Sequence, residues 1–277
     1  MLVELACQAL LSRILPEVDP KRSGLTIDIG VGTYDFYFQL FDKLRFKTIA
    51  VEPLPTDRVR QICLDRNIKL IESCISDVDG SVYIYVGQDE KNEENYNRSS
   101  MLKDWFGSSA NARQVESMSF SKLLSNVDAH KITCLKIDVE GMELAIIQQL
   151  QELQETLLPK VLMFEYGGGG TRDSKKGGWS KEILEGTMKS LGIIRNLGYE
   201  QIIIIDLAAN SEARLLALKS LTLEATEVFP SNSIYGNIIA LRDIHYSESK
   251  IATICKPYNG NQEQGNLLKR IIRKIFR

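Results

Sequence analysis

The 277-residue chain is poor in the groups that most often announce a site. It has two histidines, His130 and His245, and five cysteines, Cys7, Cys63, Cys74, Cys134 and Cys255, with no CxxC pair among them. This argues against a disulfide framework and a zinc site, and it favours a reducing, cytoplasmic compartment. No apolar run approaches the roughly 18 residues that a membrane-spanning helix needs. The first residues, MLVELACQALLSRILPEVDP, lack a basic n-region and a small-residue cleavage site and carry Glu4 inside the apolar run, so they read as an amphipathic helix rather than a signal peptide. Charge of one sign is also missing. Lys plus Arg number 34 against 36 Asp plus Glu, a net charge of −2 that offers no general attraction to nucleic acid.

What is present is an alternation of short apolar strands with helical patterns, the mark of a parallel sheet covered by helices. Strands are expected at 25–29, 47–51, 68–72, 82–86, 134–138, 161–165, 201–206 and 235–241. Helices are expected at 34–44, 55–66, 119–126, 142–157, 180–197 and about 210–220. The organisation expected is a helical extension (1–23), a main domain (24–245) and a C-terminal extension (246–277). Two stretches break the rhythm. GQDEKNEENYNRSS (87–100) is a polar loop, and GGGGTRDSKKGG (167–178) is either a flap over a site or a linker; it contains no GxxxxGK[ST] phosphate loop. The tail NLLKRIIRKIFR (266–277) places Leu268, Ile271, Ile272, Ile275 and Phe276 opposite Lys269, Arg270, Arg273, Lys274 and Arg277 as a helix. That pattern suits packing on its own domain, an anionic membrane surface or a protein partner.

Four stretches carry chemistry. The first strand runs into DIGVGTY (28–34), where Gly30 and Gly32 permit a sharp turn and a close approach of backbone to ligand. The dinucleotide fingerprint GxGxxG fails because Asp35 stands where its third glycine should be, and a carboxylate there repels a pyrophosphate. A neutral or cationic ligand fits better, and S-adenosylmethionine, with its sulfonium and amino group, would be drawn to Asp28. Glu52, in AVEP at the end of the second strand, is placed to accept from two ribose hydroxyls. In SCISDVDG (73–80), Asp77 is either an adenine contact or a turn residue. The fourth stretch, CLKIDVEGMEL (134–144), begins as a buried strand and ends in Asp138, Glu140 and Glu143 around Gly141. Ionised carboxylates are seldom buried without a purpose, and strand alternation puts Asp138 and Glu140 on one face at the crevice beyond the sheet.

Taken together, TIDIGVG, AVEP, SCISDVDG, Ser99-Ser100, ESMSFSKLL and above all LKIDVEGMEL resemble the FkbM-type family of S-adenosylmethionine-dependent methyltransferases over about 24–241. The resemblance implies a Rossmann-like class I methyltransferase fold, a seven-stranded and mostly parallel sheet with helices on both faces, and O-methylation of a sugar, glycan or natural-product hydroxyl. It places Asp28, Gly30 and Gly32 at the methionine end of the cofactor, Glu52 at the ribose, Asp77 near the adenine, and Asp138 between methionine and acceptor. Asp138 or Glu140 is then the proton acceptor and Glu165 orients the acceptor, with no metal required. Where the family commonly has an alanine-asparagine pair and a further glycine, this chain has Val31, Gly32 and Tyr34. The competing readings are a catalytically silent interaction protein of the same fold, an NAD-dependent oxidoreductase, and a nucleic-acid methyltransferase, whose Asn/Asp-Pro-Pro-Tyr/Phe motif is missing.

Overall fold

The computed structural model describes residues 1–33, 36–88, 93–103, 105 and 108–259; Tyr34 and the basic tail lie outside the described residues. Helix α1 (Val3–Val18) leads into β1 (Leu25–Ile29), α2 (Phe36–Lys43), β2 (Lys47–Val51), α3 (Asp57–Asp65) and β3 (Lys69–Ile71). Strands β4 (Cys74–Ile75), β5 (Gly80–Gln88), β6 (Glu94–Ser100) and β7 (Ser108–Met118) follow. Then come α4 (Phe120–Asn126), β8 (Ile132–Ile137), α5 (Glu143–Gln149), β9 (Val161–Gly167), α6 (Lys181–Asn196), β10 (Tyr199–Asp206), β11 (Arg214–Ala217), α7 (Ala225–Val228), β12 (Tyr235–Arg242) and α8 (Glu248–Cys255).

Eight strands form the main sheet in the order β11-β10-β12-β9-β8-β1-β2-β3. Strands β9, β8, β1, β2 and β3 are parallel neighbours, while β12 and β11 run against the rest. Chain order reverses at β1, with β2 and β3 to one side and β8 and β9 to the other. A crevice therefore opens beyond the carboxyl ends of β1 and β8, the place where open α/β sheets bind ligands.

Strand alternation supplies both faces of the sheet with apolar side chains. Ile27, Ile29, Leu135, Ile137, Leu162 and Phe164 pack against Phe120, Leu123, Ile146, Ile147, Leu191 and Ile194 of α4, α5 and α6. On the other face Cys134, Val161 and Met163 meet Leu10, Leu11 and Ile14 of α1, Tyr37 and Phe41 of α2, and Ile251 of α8. Lys136 continues the phase of Cys134, and Glu165 that of Met163, so two ionisable side chains lie on the α1 face. Asp19 anchors the opposite end of the sheet. Only 2 % exposed, it accepts from Gly24 N at 2.8 Å and from Thr133 Oγ1 at 2.7 Å.

Besides the helix expected at 142–157, which ends at Gln149 and is followed by 3₁₀ turns at Leu150–Glu152 and Glu155–Leu157, the structure departs from the sequence pattern in four places. Residues 82–86 do not join the main sheet; they belong to β5 in a second sheet of order β4-β7-β5-β6. The polar stretch expected as a loop at 87–100 contains the end of β5 and all of β6, because antiparallel pairing with β5 satisfies its backbone whatever the polarity of its side chains. The helix expected over about 210–220 is strand β11 followed by a 3₁₀ turn, Leu218–Ser220. ARLLALK has good helix formers, but pairing with β10 completes the sheet edge and overrides that local preference. The main sheet thus has eight strands rather than seven.

The fourth departure is the glycine-rich segment after β9, which is folded rather than a linker. Gly168 N donates to Ile234 O at 2.8 Å, Arg172 N to Ser233 O at 2.8 Å, and the indole of buried Trp179 to Ile234 O at 2.7 Å. The glycines allow this packing, since a Cβ on Gly178 would lie 1.8 Å from Gly167 O.

Candidate active site

The crevice is a cavity of about 1140 Å³. At one end lie Glu52, Pro53 and Leu54 after β2 together with Ser73, Cys74 and Ile75; at the other lie Glu4, Tyr37, Glu165, Leu207 and Tyr235. Gly30, Gly32, Lys136 and Asp138 also line it, at the carboxyl ends of the central strands β1 and β8.

The turn after β1 needs its glycines. Gly30 has φ +78°, and a Cβ there would lie 1.6 Å from Asp138 O. No side chain can be tolerated where the turns after β1 and β8 meet. Gly32, at φ +58°, donates its N–H to Glu52 Oε2 at 2.7 Å, and Leu54 N donates to Glu52 Oε1 at 2.9 Å. Burial raises the Glu52 carboxyl above its ordinary range, and these two backbone donors work against that shift. Each oxygen keeps lone-pair capacity for a further donor.

The second sheet forms one wall of the cavity. From β6, Asn97 Oδ1 accepts from Thr33 N at 2.6 Å and from Thr33 Oγ1 at 2.8 Å, gripping the glycine turn. Ser100 Oγ donates to Glu140 O at 2.6 Å, and Trp105 Nε1 donates to Glu140 Oε2 at 2.7 Å. One segment thereby holds both turns.

Strand β8 stops at Ile137, and Glu140 takes φ +54° ahead of Gly141 at +95°. Glu140 therefore reaches the cavity through a left-handed turn and not by strand alternation. Glu143 folds back over that turn, its Oε1 accepting from Val139 N at 3.0 Å and Gly141 N at 3.4 Å. Burial pushes the Glu143 carboxyl up to about 7. Carboxylate oxygens of Asp138, Glu140 and Glu165 lie within 4.8 Å of one another. Burial first, and the Asp138 charge second, raise the carboxyls of Glu140 and Glu165. Strands β8 and β9 thus bring together the three acids expected to do chemistry, and as a group they are also able to ligate a divalent ion.

Asp28 stands apart from this group. It is 1 % exposed, does not line the cavity, and is engaged from two sides: Phe38 N donates to Oδ2 at 3.0 Å, and Lys136 Nζ lies 3.1 Å from Oδ1. A direct attraction of Asp28 for a cationic ligand gives way to a supporting position beneath the turn, because a lysine already neutralises it. Asp77 is exposed and outside the cavity lining, to which its neighbours Ser73, Cys74 and Ile75 contribute.

Sequence reasoning passed over Lys136, Asn97, Trp105 and the pair Glu4–Tyr37, in which Tyr37 OH donates to Glu4 Oε2 at 2.5 Å. Lys136 carried a signal. A lysine inside a strand buried on both faces is nearly always paired, and it alternates in phase with Asp138. Asn97 and Trp105 carried none, since only tertiary pairing brings them to the site.

The profile of the methyltransferase FkbM domain matches residues 27–211. No curated protein matches significantly. Among solved structures, similarity extends to Burkholderia thailandensis 1,6-didemethyltoxoflavin-N1-methyltransferase with bound 1,6-didemethyltoxoflavin and S-adenosylhomocysteine, at 9 % identity and TM-score 0.38, over 86 % of this chain and 79 % of that one. It also extends to the small RNA methyltransferase HEN1, at 12 % identity and TM-score 0.41, over 88 % of this chain and 27 % of that one.

Proposed function

The chain belongs to the FkbM methyltransferase family, whose members depend on S-adenosylmethionine, and from that premise we propose that it methylates a hydroxyl of a sugar, glycan or natural product. The observation that carries this reading is the meeting of Asp138, Glu140 and Glu165 at the cavity beside the glycine turn.

The residues present fit the cofactor. A side-chain-free turn at Gly30 and Gly32 lets a ligand approach the backbone, and Glu52, fixed by two backbone donors, keeps capacity for ribose hydroxyls. A volume of about 1140 Å³ exceeds the 300–1,000 Å³ usual for one small ligand, leaving room for an acceptor beside the cofactor. Ser73, Cys74 and Ile75, rather than Asp77, line the expected adenine end. When bound, S-adenosylmethionine supplies a methyl group activated by its sulfonium.

The protein's part is to hold a hydroxyl oxygen in line, exclude water and take up a proton. Asp138, oriented by Lys136 at 3.3 Å, is the proton acceptor on this reading. Glu165 and Glu140, whose carboxyls burial pushes up, orient the acceptor's hydroxyls. With Glu4 beyond them, this end of the cavity suits a neutral molecule rich in hydrogen-bond donors and disfavours phosphates. A small molecule or glycan fits it better than nucleic acid.

A label-transfer screen over glycans and small polyols tests the proposal, with Asp138→Asn as its control. Turnover should fall by roughly 10²-fold or more in the variant, with the fold and S-adenosylhomocysteine binding retained; wild-type turnover in the variant sinks the assignment. Activity unaffected by a chelator is the outcome expected if the three carboxylates act without a metal ion.

A further inference from the structure

Lys136 is 3 % exposed, in the middle of the site, where its ammonium makes one hydrogen bond and two ion pairs. Nζ donates to Gly30 O at 2.9 Å and lies 3.1 Å from Asp28 Oδ1 and 3.3 Å from Asp138 Oδ2. The parallel register sets Asp28 directly opposite Lys136, so the first pair is a cross-strand pair between β1 and β8. Asp138 is two residues further along the same strand and completes the set as the chain leaves the sheet.

Every layer around the ammonium favours positive charge. Asp28 lies on β1 and Asp138 at the end of β8. Glu4 lies on α1, and the Tyr37 ring of α2 faces Nζ at 5.4 Å to its centroid. Cys63 and Cys134 are near Asp28, while Glu140, Glu143 and Glu165 are near Asp138. Burial alone disfavours the ammonium, but Asp138 and Asp28 outweigh it and hold Lys136 above the usual lysine range.

We infer that Lys136 is a positioning residue of the methyl-transfer site: it joins Asp28, the Gly30 turn and Asp138 into one unit that aims Asp138 into the cavity. The inference rests on the methyltransferase reading. One ammonium between two carboxylates leaves a single net negative charge, which suits a sulfonium, while the Gly30 bond ties that charge to the cofactor turn. Arginine is no substitute, since a larger, planar guanidinium cannot lie this close to three converging oxygens as a compact ammonium does.

S-adenosylmethionine and S-adenosylhomocysteine differ by the sulfonium charge, so the ratio of their affinities reads the charge at Asp138. Calorimetry at pH 8 on wild type, Asp28→Asn and Asp28→Asn/Lys136→Met uses this. The double variant removes one charge of each sign, which spares the fold an unpaired buried carboxylate. Relative to Asp28→Asn, both ligands should bind it less tightly as the Gly30 turn loses its donor. Preference for S-adenosylmethionine should rise at least about fivefold as Asp138 loses its counter-charge. A role confined to holding the fold together lowers the melting temperature and both affinities alike, and a ratio within about twofold of that of Asp28→Asn overturns the inference. If the double variant does not fold, Asp138→Asn supplies the test: it removes the net negative charge, so the ratio should fall from the wild-type value, and an unchanged ratio overturns the inference. A wild-type protein that binds neither ligand defeats the methyltransferase reading itself.

Discussion

Replacing Gly30 with alanine should dismantle the site. At φ +78° an alanine pays about 1–2 kcal/mol for the left-handed conformation. Its Cβ would lie 1.6 Å from Asp138 O and 2.7 Å from the carbonyl carbon, so the turns after β1 and β8 must part by well over an ångström. Two bonds spanning that gap are then lost: Asp138 N to Ile29 O at 3.0 Å, worth about 1 kcal/mol, and the charge-assisted bond from Lys136 to Gly30 O at 2.9 Å, worth about 1.5–3 kcal/mol. The sum is roughly 4–6 kcal/mol, comparable with the whole stability of many domains. Gly80→Ala is the matched control. Gly80 also has positive φ, +121°, but none of the described residues lies within 4 Å of its added Cβ, so only backbone strain of about 1–3 kcal/mol applies. Urea denaturation of both variants, with S-adenosylhomocysteine calorimetry on whichever folds, isolates the collision. Equal stabilities within about 1 kcal/mol, or intact cofactor binding by Gly30→Ala, refute the reasoning.

Three further outcomes are expected. Glu143 has a raised folded-state carboxyl, so the native protein holds a proton that the unfolded chain releases, and stability should fall as pH rises from about 4.5 to about 7; Glu143→Gln keeps a carbonyl acceptor for Val139 and Gly141 and should flatten that fall in melting curves across the window. Asp19 shows the opposite sign: burial raises its carboxyl, but donors from Gly24, Thr133, Ser23 and Lys131 prevail and hold it far below the usual range. Its contribution is therefore present in full above about pH 4 and declines as pH falls further, so wild type and Asp19→Asn should differ most in melting temperature at pH 7, with the gap narrowing steadily below pH 4. Trp105→Phe removes the indole donor from Glu140 and should cost about 1–3 kcal/mol in urea unfolding; a loss below about 0.5 kcal/mol contradicts the importance of that bond.

The sequence by itself determined the α/β architecture, because period-2 apolar strands alternate with helical stretches and each carries its own local signal. It determined the two turns as well. Gly30 and Gly141 adopt backbone conformations that other residues rarely take, and the acids of LKIDVEG stand where a strand must end. The strands at 25–29 and 47–51 and the strand-end acids Asp138 and Glu165 were legible for this reason, whereas Glu140 joins them through a left-handed turn and not by the alternation its spacing suggested. Tertiary structure alone decided what depends on register and long-range pairing. Asp28 looked like a ligand-facing acid until the β1–β8 register set Lys136 against it, and no local pattern encodes a partner more than 100 residues away. Residues 87–100 read as a loop because their polarity outweighed a pairing potential that only β5 could reveal, and with that strand went Asn97 and Ser100. At 210–220 local propensity pointed to a helix, and the unpaired edge of β10 made a strand. Composition and turn chemistry act over a few residues, so sequence records them; the burial of Lys136 between two carboxylates is a property of the assembled sheet.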